Sequence, residues 1–350
     1  MIQRRTLLAT LAAATVARAD EPVTIRFGFA NVGVDNRQFS GGNFIATAHA
    51  QHYIDNELKD LPAVSVEYAF FKGAGPAVNE AFANGQLDFA SQGDLPQIIA
   101  RANGLKTRQL AAGGAHAPMY LAVPPDSDIH TIKDLKGRKV ALFRGTNNHL
   151  AAVKVLAANG MTERDFQGIN MDEASANAAL ATRNIDAAFG NYGALLLAEK
   201  GLAKIVYSTK GQDSTFERQS TLIAADGFVA ANPGLTQRVV TAIVKAAYWS
   251  SQEENREALF DIWARSGRPA SVYRADFADQ SLKYRNSPLI DDYLINAYRV
   301  QAQQAREYGL IRREVSVDGW FDAHFLNVAL KQLNLEHFWP HYGADGKPET

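Results

Sequence analysis

The sequence has no cysteine among its 350 residues, which excludes disulfide scaffolds, thiol nucleophiles and cysteine-ligated zinc. It also lacks an excess of either charge, with 36 basic and 37 acidic side chains. Without clusters of lysine and arginine to attract phosphates, no nucleic acid or anionic membrane partner is expected. Beyond the N-terminus, the sequence contains no apolar run of the length, about 18 residues, that could span a membrane.

Enzyme motifs are absent as well. The sequence has no Gly-x-Ser-x-Gly elbow, no Walker A loop and no Gly-x-Gly-x-x-Gly following a strand. Carboxylates are numerous, but no pair is placed by the sequence for acid–base catalysis. The pairs His49/His52 and His337/His341 have no third ligand beside them, as a zinc site would require. We therefore predict no catalytic residue, no metal and no cofactor.

The N-terminus has the pattern of an export signal. Arg4 and Arg5 form a positively charged start, residues 7–16 are apolar, and Ala17-Arg18-Ala19 offers the small residues that signal peptidase needs. The apolar run is too short to cross a hydrocarbon core of about 30 Å as a helix. We predict that residues 1–19 are a cleavable signal peptide for export to the periplasm, by the Sec or the twin-arginine route. Because no cysteine follows the signal, a lipid anchor is not expected.

Short apolar runs alternate with helical patterns along the rest of the chain, which is typical of an α/β fold with mainly parallel strands. Residues 23–104 contain three strand–helix units, and residues 138–207 contain a second series of similar plan. Two such series predict two lobes that face each other. From residue 233 onward helical periodicity dominates, and we expect these helices to cover the sheet of the first lobe.

The loops that lead from a strand into a helix are the candidate ligand sites, because free backbone N–H groups and the positive end of the helix dipole meet there. Three loops combine glycine with short polar residues: 72–76, 91–96 and 143–149. The last is the best candidate for an anion cradle. Thr146, Asn147 and Asn148 supply hydrogen-bond donors and suit a helix start, although an ordinary capped helix would use the same residues.

Two residues in these loops have alternative roles. Asp94 follows Gly93 directly before a helix and is either an N-terminal capping carboxylate or part of a ligand site. His149 lies in the cradle loop and either donates to a ligand or braces the loop. If Asp94 is part of a ligand site, Gly93 and its neighbours would present their backbone to a ligand from the opposite lobe.

Five segments in the same order resemble the periplasmic aliphatic sulfonate-binding proteins, within the nitrate/sulfonate/taurine class. The segments are FKGAGP (71–76), GQLDFASQGD (85–94), LKGRKVA (135–141), GTNNHL (145–150) and NIDA (184–187). The resemblance implies a type II periplasmic binding protein fold, with two lobes around a ligand cleft. Residues 20–120 and 223–350 would form lobe 1 and residues 121–222 lobe 2, with crossovers near 120–123 and 222–224.

The resemblance also implies a function. The protein would be a monomer that binds a small organic anion, an aliphatic sulfonate in the first instance, and delivers it to an ABC transporter permease with its ATPase. The sulfonate group would lie between the residues of one lobe and those of the other: Thr146, Asn147 and Asn148 with His149 beside them, and Gln92, Gly93 and Asp94.

The sequence departs from this family at two places near the cleft. Residues 190–193 read Gly-Asn-Tyr-Gly where the family usually has a Trp-Asp-Pro-Tyr type segment, so Asn191 and Tyr192 would contact the ligand instead. The loop after the first strand is longer than usual and brings Gln38 to the cleft mouth. These changes leave open nitrate, taurine, an aromatic carboxylate or a pyrimidine as the ligand. An enzyme reading is disfavoured, because the related thiamine-pyrimidine synthases carry a cysteine-rich motif.

The cradle prediction can be tested with Asn147→Ala. Losing a donor to a charged ligand should weaken anion binding by about 1.5–3 kcal/mol. Thermal stability should stay nearly unchanged, since the side chain is predicted to face the cleft. Calorimetric titration and a melting curve measure the two quantities, and an unchanged affinity would move the cradle elsewhere.

Overall fold

The computed structural model describes residues 22–349, so the predicted signal peptide lies outside the described residues. The strands are β1 (Val23–Phe29), β2 (Val64–Phe70), β3 (Phe89–Gly93), β4 (Thr107–Ala117), β5 (Tyr120–Val123), β6 (Lys139–Leu142), β7 (Gln167–Asn170), β8 (Ala187–Gly190), β9 (Lys204–Ser208) and β10 (Arg218–Ala225). The α-helices are α1 (Phe44–Ala50), α2 (Tyr53–Leu58), α3 (Ala74–Ala83), α4 (Asp94–Ala102), α5 (Asn147–Ala158), α6 (Glu173–Ala181), α7 (Gly193–Glu199), α8 (Asp226–Ala231), α9 (Pro233–Ser250), α10 (Arg256–Ala264), α11 (Ala270–Asp276), α12 (Leu282–Arg285), α13 (Asp292–Glu307) and α14 (His324–Leu333).

The strands form two five-stranded sheets of the same plan. Their orders are β2-β1-β3-β10-β4 and β7-β6-β8-β5-β9. In the first sheet β1 is parallel to β2 and β3, while β10 is antiparallel to β3 and β4. In the second sheet β6 is parallel to β7 and β8, while β5 is antiparallel to β8 and β9. Each sheet is the centre of one lobe, which we call lobe 1 and lobe 2.

The chain crosses between the lobes twice. The first crossover is Pro118-Met119, between β4 and β5. The second lies at residues 209–217, because β10 already belongs to the first sheet at Arg218. The return to lobe 1 thus precedes the predicted crossover near 222–224. The first half of β10 is polar, so the sequence alone does not indicate a buried strand there. Its polar groups have partners inside lobe 1: for example, Thr221 Oγ1 donates to Gln97 Oε1 over 3.0 Å.

Apolar strand residues position the helices on both sheets. In lobe 1, Ile25 and Phe27 of β1 share a buried cluster with Val240 and Ile243 of α9. Helix α14 joins this cluster, and α13 packs with α4 in a neighbouring one, as predicted for the C-terminal helices. Helices α10–α12 differ, since they form a separate cluster that includes Tyr192 of lobe 2 and so lies beside the cleft.

The two crossovers are joined by a buried polar cluster. His116, at the end of β4, lies between the stacked rings of Tyr284 and Tyr293, whose centroids are 3.7 and 4.7 Å from its own. His116 Nδ1 is 2.5 Å from Glu217 Oε2, at the end of the second crossover. Glu217 also accepts from Tyr293 Oη at 2.7 Å and Tyr284 Oη at 3.1 Å. Hydrogen bonding by these groups holds the pKa of Glu217 below its usual value although burial acts to raise it.

We predict that Glu217→Ala destabilises the protein by about 3 kcal/mol or more, because it leaves His116 and two tyrosine hydroxyls without their acceptor in a buried site. Urea denaturation measures the loss. The exposed Glu254→Ala is a suitable control and should change stability by less than about 0.5 kcal/mol. Equal effects of the two substitutions would show that the cluster does not stabilise the junction.

Candidate functional site

A cavity of about 680 Å³ lies between the lobes, at the carboxyl ends of the parallel strands. The loops after β1 and β3 line it from lobe 1, and the loops after β6, β7 and β8 line it from lobe 2. This is where ligands bind in open α/β sheets. Its volume lies within the range of about 300–1,000 Å³ that is usual for small-molecule sites.

The lobes meet at one flank of the cavity through Gly93 and Asn147. A Cβ atom at position 93 would lie 2.7 Å from Asn147 Nδ2 and 2.9 Å from Asn147 Cβ, which is closer than real Cβ contacts. The φ of Gly93 is −75°, so any residue could adopt its backbone conformation. Glycine is therefore required here for the close approach of the two lobes.

At the opposite flank, contact is made by side chains of lobe 2. Tyr192 Oη donates to Gly41 O over 3.2 Å. Arg268 Nη2 donates to Glu173 Oε1 over 2.8 Å, and Asn191 Nδ2 donates to Glu173 Oε2 over 3.0 Å. Burial opposes the charge of Arg268, but the Glu173 carboxylate beside it leaves the pKa of Arg268 raised overall. The lobes are thus in contact on both flanks of the cavity.

The N-terminus of α5 faces this cavity. Thr146 is the N-cap, but its Oγ1 donates to Phe143 O at 2.6 Å and does not cap the helix. Within the described residues no acceptor is recorded for the backbone N–H groups of Asn147 and Asn148. These groups and the helix dipole create a positive potential at the point where the predicted cradle was placed.

His149 does not reach the cavity. Its Nδ1 accepts from Gly145 N–H over 3.2 Å, so the proton is on Nε2, which donates to Glu163 Oε1 over 2.6 Å. Arg144 Nη2 donates to the other oxygen of Glu163 over 2.8 Å. Of the two roles predicted for His149, the structure therefore favours bracing the cradle loop. The hydrogen bond from His149, aided by Arg144 and opposed by burial, lowers the pKa of Glu163 to about 2.

Two other predicted residues also lie outside the cavity. Asp94 is 1 % exposed and accepts from Leu95 N–H at 2.6 Å and Gln219 N–H at 2.8 Å, so it ties the start of α4 to β10. Neither alternative predicted for Asp94 holds as stated: Gly93 is the N-cap of α4, and Asp94 is the first residue of the helix and turns away from the cavity. Gln38 is exposed and donates to Asn36 O over 3.0 Å. The other seven predicted residues line the cavity: Gln92, Gly93, Thr146, Asn147, Asn148, Asn191 and Tyr192.

Three buried amide oxygens that belong to cavity-lining residues have no hydrogen-bond partner in the described part of the chain: those of Asn31, Gln92 and Asn148. For Gln92 the orientation of the amide is fixed. Its Nε2 donates to Gly75 O at 2.9 Å and to Asn79 Oδ1 at 2.8 Å, and Asn79 is itself oriented by donating to Pro96 O. Buried polar groups are normally satisfied, so partners for these groups are expected from a ligand or from water.

Arginine side chains at the cavity were not predicted from the sequence. Arg218, the first residue of β10, is 7 % exposed and donates to Pro118 O through Nε and Nη2. Its Nη1 lies 3.5 Å from Asn147 Oδ1, beside the start of α5. Burial lowers the pKa of Arg218, against the attraction of Asp276 and Asp94. Arg218 reaches the cavity because it lies at the start of a strand that enters the cleft. The sequence contains no pattern that indicates this position.

Ion pairing distinguishes Arg218 from the other cavity cations. Three of them have a carboxylate oxygen within 4 Å: Lys72 with Asp172, Arg268 with Glu173, and Arg285 with Asp276. Among the described residues no such carboxylate lies next to Arg218. Arg218 is therefore a buried cavity cation without an ion-pair partner within 4 Å in the described chain, next to a helix N-terminus, although Asp276 and Asp94 attract it from a greater distance.

Residues 22–349 contain no group of three or more histidine, aspartate or glutamate side chains that could hold a metal ion. None of the helices in this part of the chain is long and apolar enough to cross a membrane.

The two sheets and the cleft between them define a two-lobe protein of the type II periplasmic binding class, as predicted. The chain belongs to the NMT1/THI5-like family, whose sequence pattern matches residues 64–256. The predicted relationship to sulfonate-binding proteins is confirmed by the relatives below.

The chain is similar to a solved protein from Methylobacillus flagellatus, named as a candidate periplasmic sulfonate-binding protein of a sulfonate ABC transporter. The two are 33% identical with a TM-score of 0.76, over 92% of this chain and 98% of that one. A protein of Escherichia coli named as a candidate aliphatic sulfonates-binding protein is 29% identical over 73% of this chain and 76% of its own length. A desulfurization enzyme, solved as a cysteine-to-serine variant with biphenyl-2-sulfinic acid, shares the fold at 19% identity, with a TM-score of 0.68 over 88% of this chain and 99% of that one.

The brace of the cradle loop predicts a pH dependence. Because the pKa of Glu163 falls from its usual value near 4.5 to about 2 on folding, the carboxylate stabilises the folded state above about pH 4.5, and this stabilisation is lost as the pH falls toward 2. The expected loss is on the order of 3 kcal/mol. Urea denaturation between pH 3 and 6 should therefore show a shallower acid dependence for Glu163→Gln than for the unmodified protein.

The exposed Glu336→Gln serves as the control for that measurement and should leave the acid dependence unchanged. Parallel curves for the unmodified protein and Glu163→Gln would show that the His149–Glu163 pair does not stabilise the fold.

Proposed function

We propose that the protein is the solute-binding component of an ABC importer and binds an organosulfonate, or a similar small organic anion, in the cavity between its lobes. The relatives at 33% and 29% identity, both named for sulfonate binding, support this proposal. The observation that carries it is the buried guanidinium of Arg218, which has no carboxylate oxygen within 4 Å in the described chain and lies beside the N-terminus of α5.

An anionic head group would satisfy the groups that now lack partners. The backbone N–H groups of Asn147 and Asn148 would donate to one oxygen atom of the anion, and the guanidinium of Arg218 would donate to another oxygen atom. The amide of Asn148, which makes no hydrogen bond within the described residues, can turn its NH₂ group to the anion. Thr146 contributes by shaping the loop, since its hydroxyl already donates to Phe143 O.

The size of the cavity favours an organic anion over an inorganic one. A volume of about 680 Å³ far exceeds the needs of nitrate or sulfate, and many of its lining side chains are apolar. Apolar walls with a few convergent polar groups are typical of sites for organic ligands. Asn191 and Tyr192 would form part of the wall, and the Tyr192–Gly41 contact would close it.

Binding without catalysis is part of the proposal. The chain has no cysteine, and the cavity carboxylates Asp172 and Glu173 are paired with Lys72 and Arg268, which leaves neither as a free base. His149 is held by Glu163 outside the cavity. The fold alone does not decide the matter, because it is shared with a desulfurization enzyme.

The partners follow from the class. Relatives of this chain are named as periplasmic binding proteins of ABC transporters, which supports a periplasmic monomer that docks on a permease with its ATPase. Closure of the lobes around the ligand would create the surface that the permease recognises.

One observation favours a second candidate ligand. Gln92 Oε1 is a buried acceptor with a fixed orientation and no donor. A pyrimidine or another ligand with an N–H group would supply that donor, whereas an unsubstituted alkanesulfonate would not.

Calorimetric titration of ligand-free protein with alkanesulfonates, taurine, nitrate, sulfate, benzoate and a hydroxymethylpyrimidine tests the assignment. We expect saturable binding of alkanesulfonates and no heat from nitrate or sulfate. Arg218→Gln should weaken that binding at least about 30-fold, because it removes a buried charge that pairs with the anion. Because the substitution also removes the hydrogen bonds from Arg218 to Pro118 O, a melting curve of the ligand-free variant checks that it is folded.

Arg108→Gln is the matched control, because Arg108 is an arginine of lobe 1 paired with Asp226 and Asp322 and does not line the cavity. Its affinity for alkanesulfonates should equal that of the unmodified protein. Absence of heat from every alkanesulfonate would refute the proposed ligand class, and heat from the pyrimidine alone would favour the second candidate.

A further inference from the structure

Residues 341–349 fold back on themselves as a small hairpin outside the cavity. Tyr342 and Pro348 pair as a single antiparallel β-bridge, and the Gly343 N–H donates to Lys347 O over 2.9 Å. None of the nine residues lines the cavity. We call this segment the 341–349 hairpin, and we call the two crossovers together the hinge.

The hairpin is fixed to lobe 1 through α13. The Tyr293 N–H donates to Tyr342 O over 3.1 Å, and the Tyr342 N–H donates to Asp291 Oδ2 over 3.2 Å. Asn296 Nδ2 donates to Ala344 O over 3.0 Å. Because α13 packs with α4 in a buried cluster of lobe 1, the hairpin must move with that lobe.

The far end of the hairpin contacts the second crossover. A Cβ atom at Gly346 would lie 3.0 Å from Ser214 Oγ and 3.6 Å from Ser214 Cβ. Gly346 also has a φ of 76°, in the left-handed region that glycine adopts without strain. Ser214 begins a short 3-10 helix whose Phe216 packs against the core of lobe 2. The hairpin therefore connects the two lobes at the hinge.

The hairpin also packs against a strained residue beside the first crossover. His116 has a φ of 58°, in the left-handed region that residues other than glycine rarely adopt. The centroid of the Tyr342 ring lies 5.8 Å from that of His116 and 5.7 Å from that of Tyr284. Strained backbone persists where its surroundings hold it, and hinges turn through changes of φ and ψ at a few residues. A change of φ at His116 would turn the first crossover, and Tyr342 packs against the ring that would move.

We propose that the 341–349 hairpin is a strap that holds the hinge in the closed arrangement, so that its attachment determines how readily the lobes separate. The lobes touch on both flanks of the cavity, and the hairpin contacts both crossovers in that same arrangement. Separation of the lobes would move the second crossover relative to α13 and break the contact of Gly346 with Ser214. Turning at His116 would break its contact with Tyr342. Because both contacts are lost on opening, the hairpin shifts the equilibrium of the ligand-free protein toward closure.

The absence of cysteine makes the strap testable by site-directed labelling. Glu80→Cys and Lys200→Cys together place one label on an exposed residue of each lobe. Double electron–electron resonance between nitroxides at these positions measures the distribution of interlobe distances without ligand. For the full chain we expect the short distance of the closed arrangement to dominate. In a chain that ends at Pro340, the population with longer distances should be about fivefold larger.

Tyr342→Ala keeps the full chain, removes the ring that packs against His116, and should shift the distances in the same direction. Lys347→Ala is the matched control, because this exposed side chain pairs with Asp345 of the hairpin itself and should leave the distances unchanged.

Equal distributions in the full and shortened chains would overturn the strap, as would a shift toward shorter distances. If the shortened chain does not fold, Tyr342→Ala decides, and an unchanged distribution in that variant overturns the proposal. The measurement uses no ligand. Failure of the strap is therefore distinguishable from failure of the proposed function, which depends on the calorimetric titrations alone.

Discussion

A buried positive charge at the junction of the lobes determines much of this structure. Arg218 begins β10, directly after the second crossover, and its neighbours in sequence face in other directions. Glu217 joins the histidine and tyrosines that connect the two crossovers, and Gln219 donates its backbone N–H to Asp94. Anchored on both sides, the guanidinium cannot turn out to solvent. It remains beside the start of α5, where an anion is the natural partner.

The contacts across the cleft have two kinds of chemistry. At Gly93 and Asn147 the lobes meet through close packing that requires the absence of a side chain. At Glu173, Arg268 and Tyr192 they meet through an ion pair and hydrogen bonds, which remain favourable over a wider range of distances. The proposed anion site adjoins the close-packed contact, since Arg218 Nη1 lies 3.5 Å from Asn147 Oδ1.

Sequence reasoning succeeded where local chemistry decides the structure. β1, β2, β3 and the helices α3 and α4 lie in the predicted strand–helix series of residues 23–104, because apolar runs bounded by turns determine them, and Gly85 and Gly104 follow α3 and α4 with φ of 66° and 91°. The cradle loop was found because glycine and short polar residues mark a helix start. The eleven-residue β4, rich in glycine and alanine, was not predicted, and neither was the polar first half of β10. Both depend on pairing with distant strands.

The same distinction explains the site residues. Seven of the ten predicted residues line the cavity, since they lie in strand-to-helix loops that must converge there. Asp94 and His149 lie in those loops too, but their side chains turn inward to partners that are far away in sequence or across the loop. The arginines at 218, 268 and 285 come from segments whose approach to the cleft depends on the return of the chain to lobe 1. No local sequence pattern indicates where the chain returns to lobe 1.

The contact between Gly93 and Asn147 has a consequence for transport. Because the lobes already touch there, this contact sets the smallest distance between them. The ligand between the lobes sets the largest distance. A head group larger than the space beside Asn147 would still find Arg218, but it would act as a wedge and hold the lobes apart. Under the proposed function, capture and delivery are then separable properties: an oversized anion would occupy the protein without the closed arrangement of the lobes that a permease would recognise.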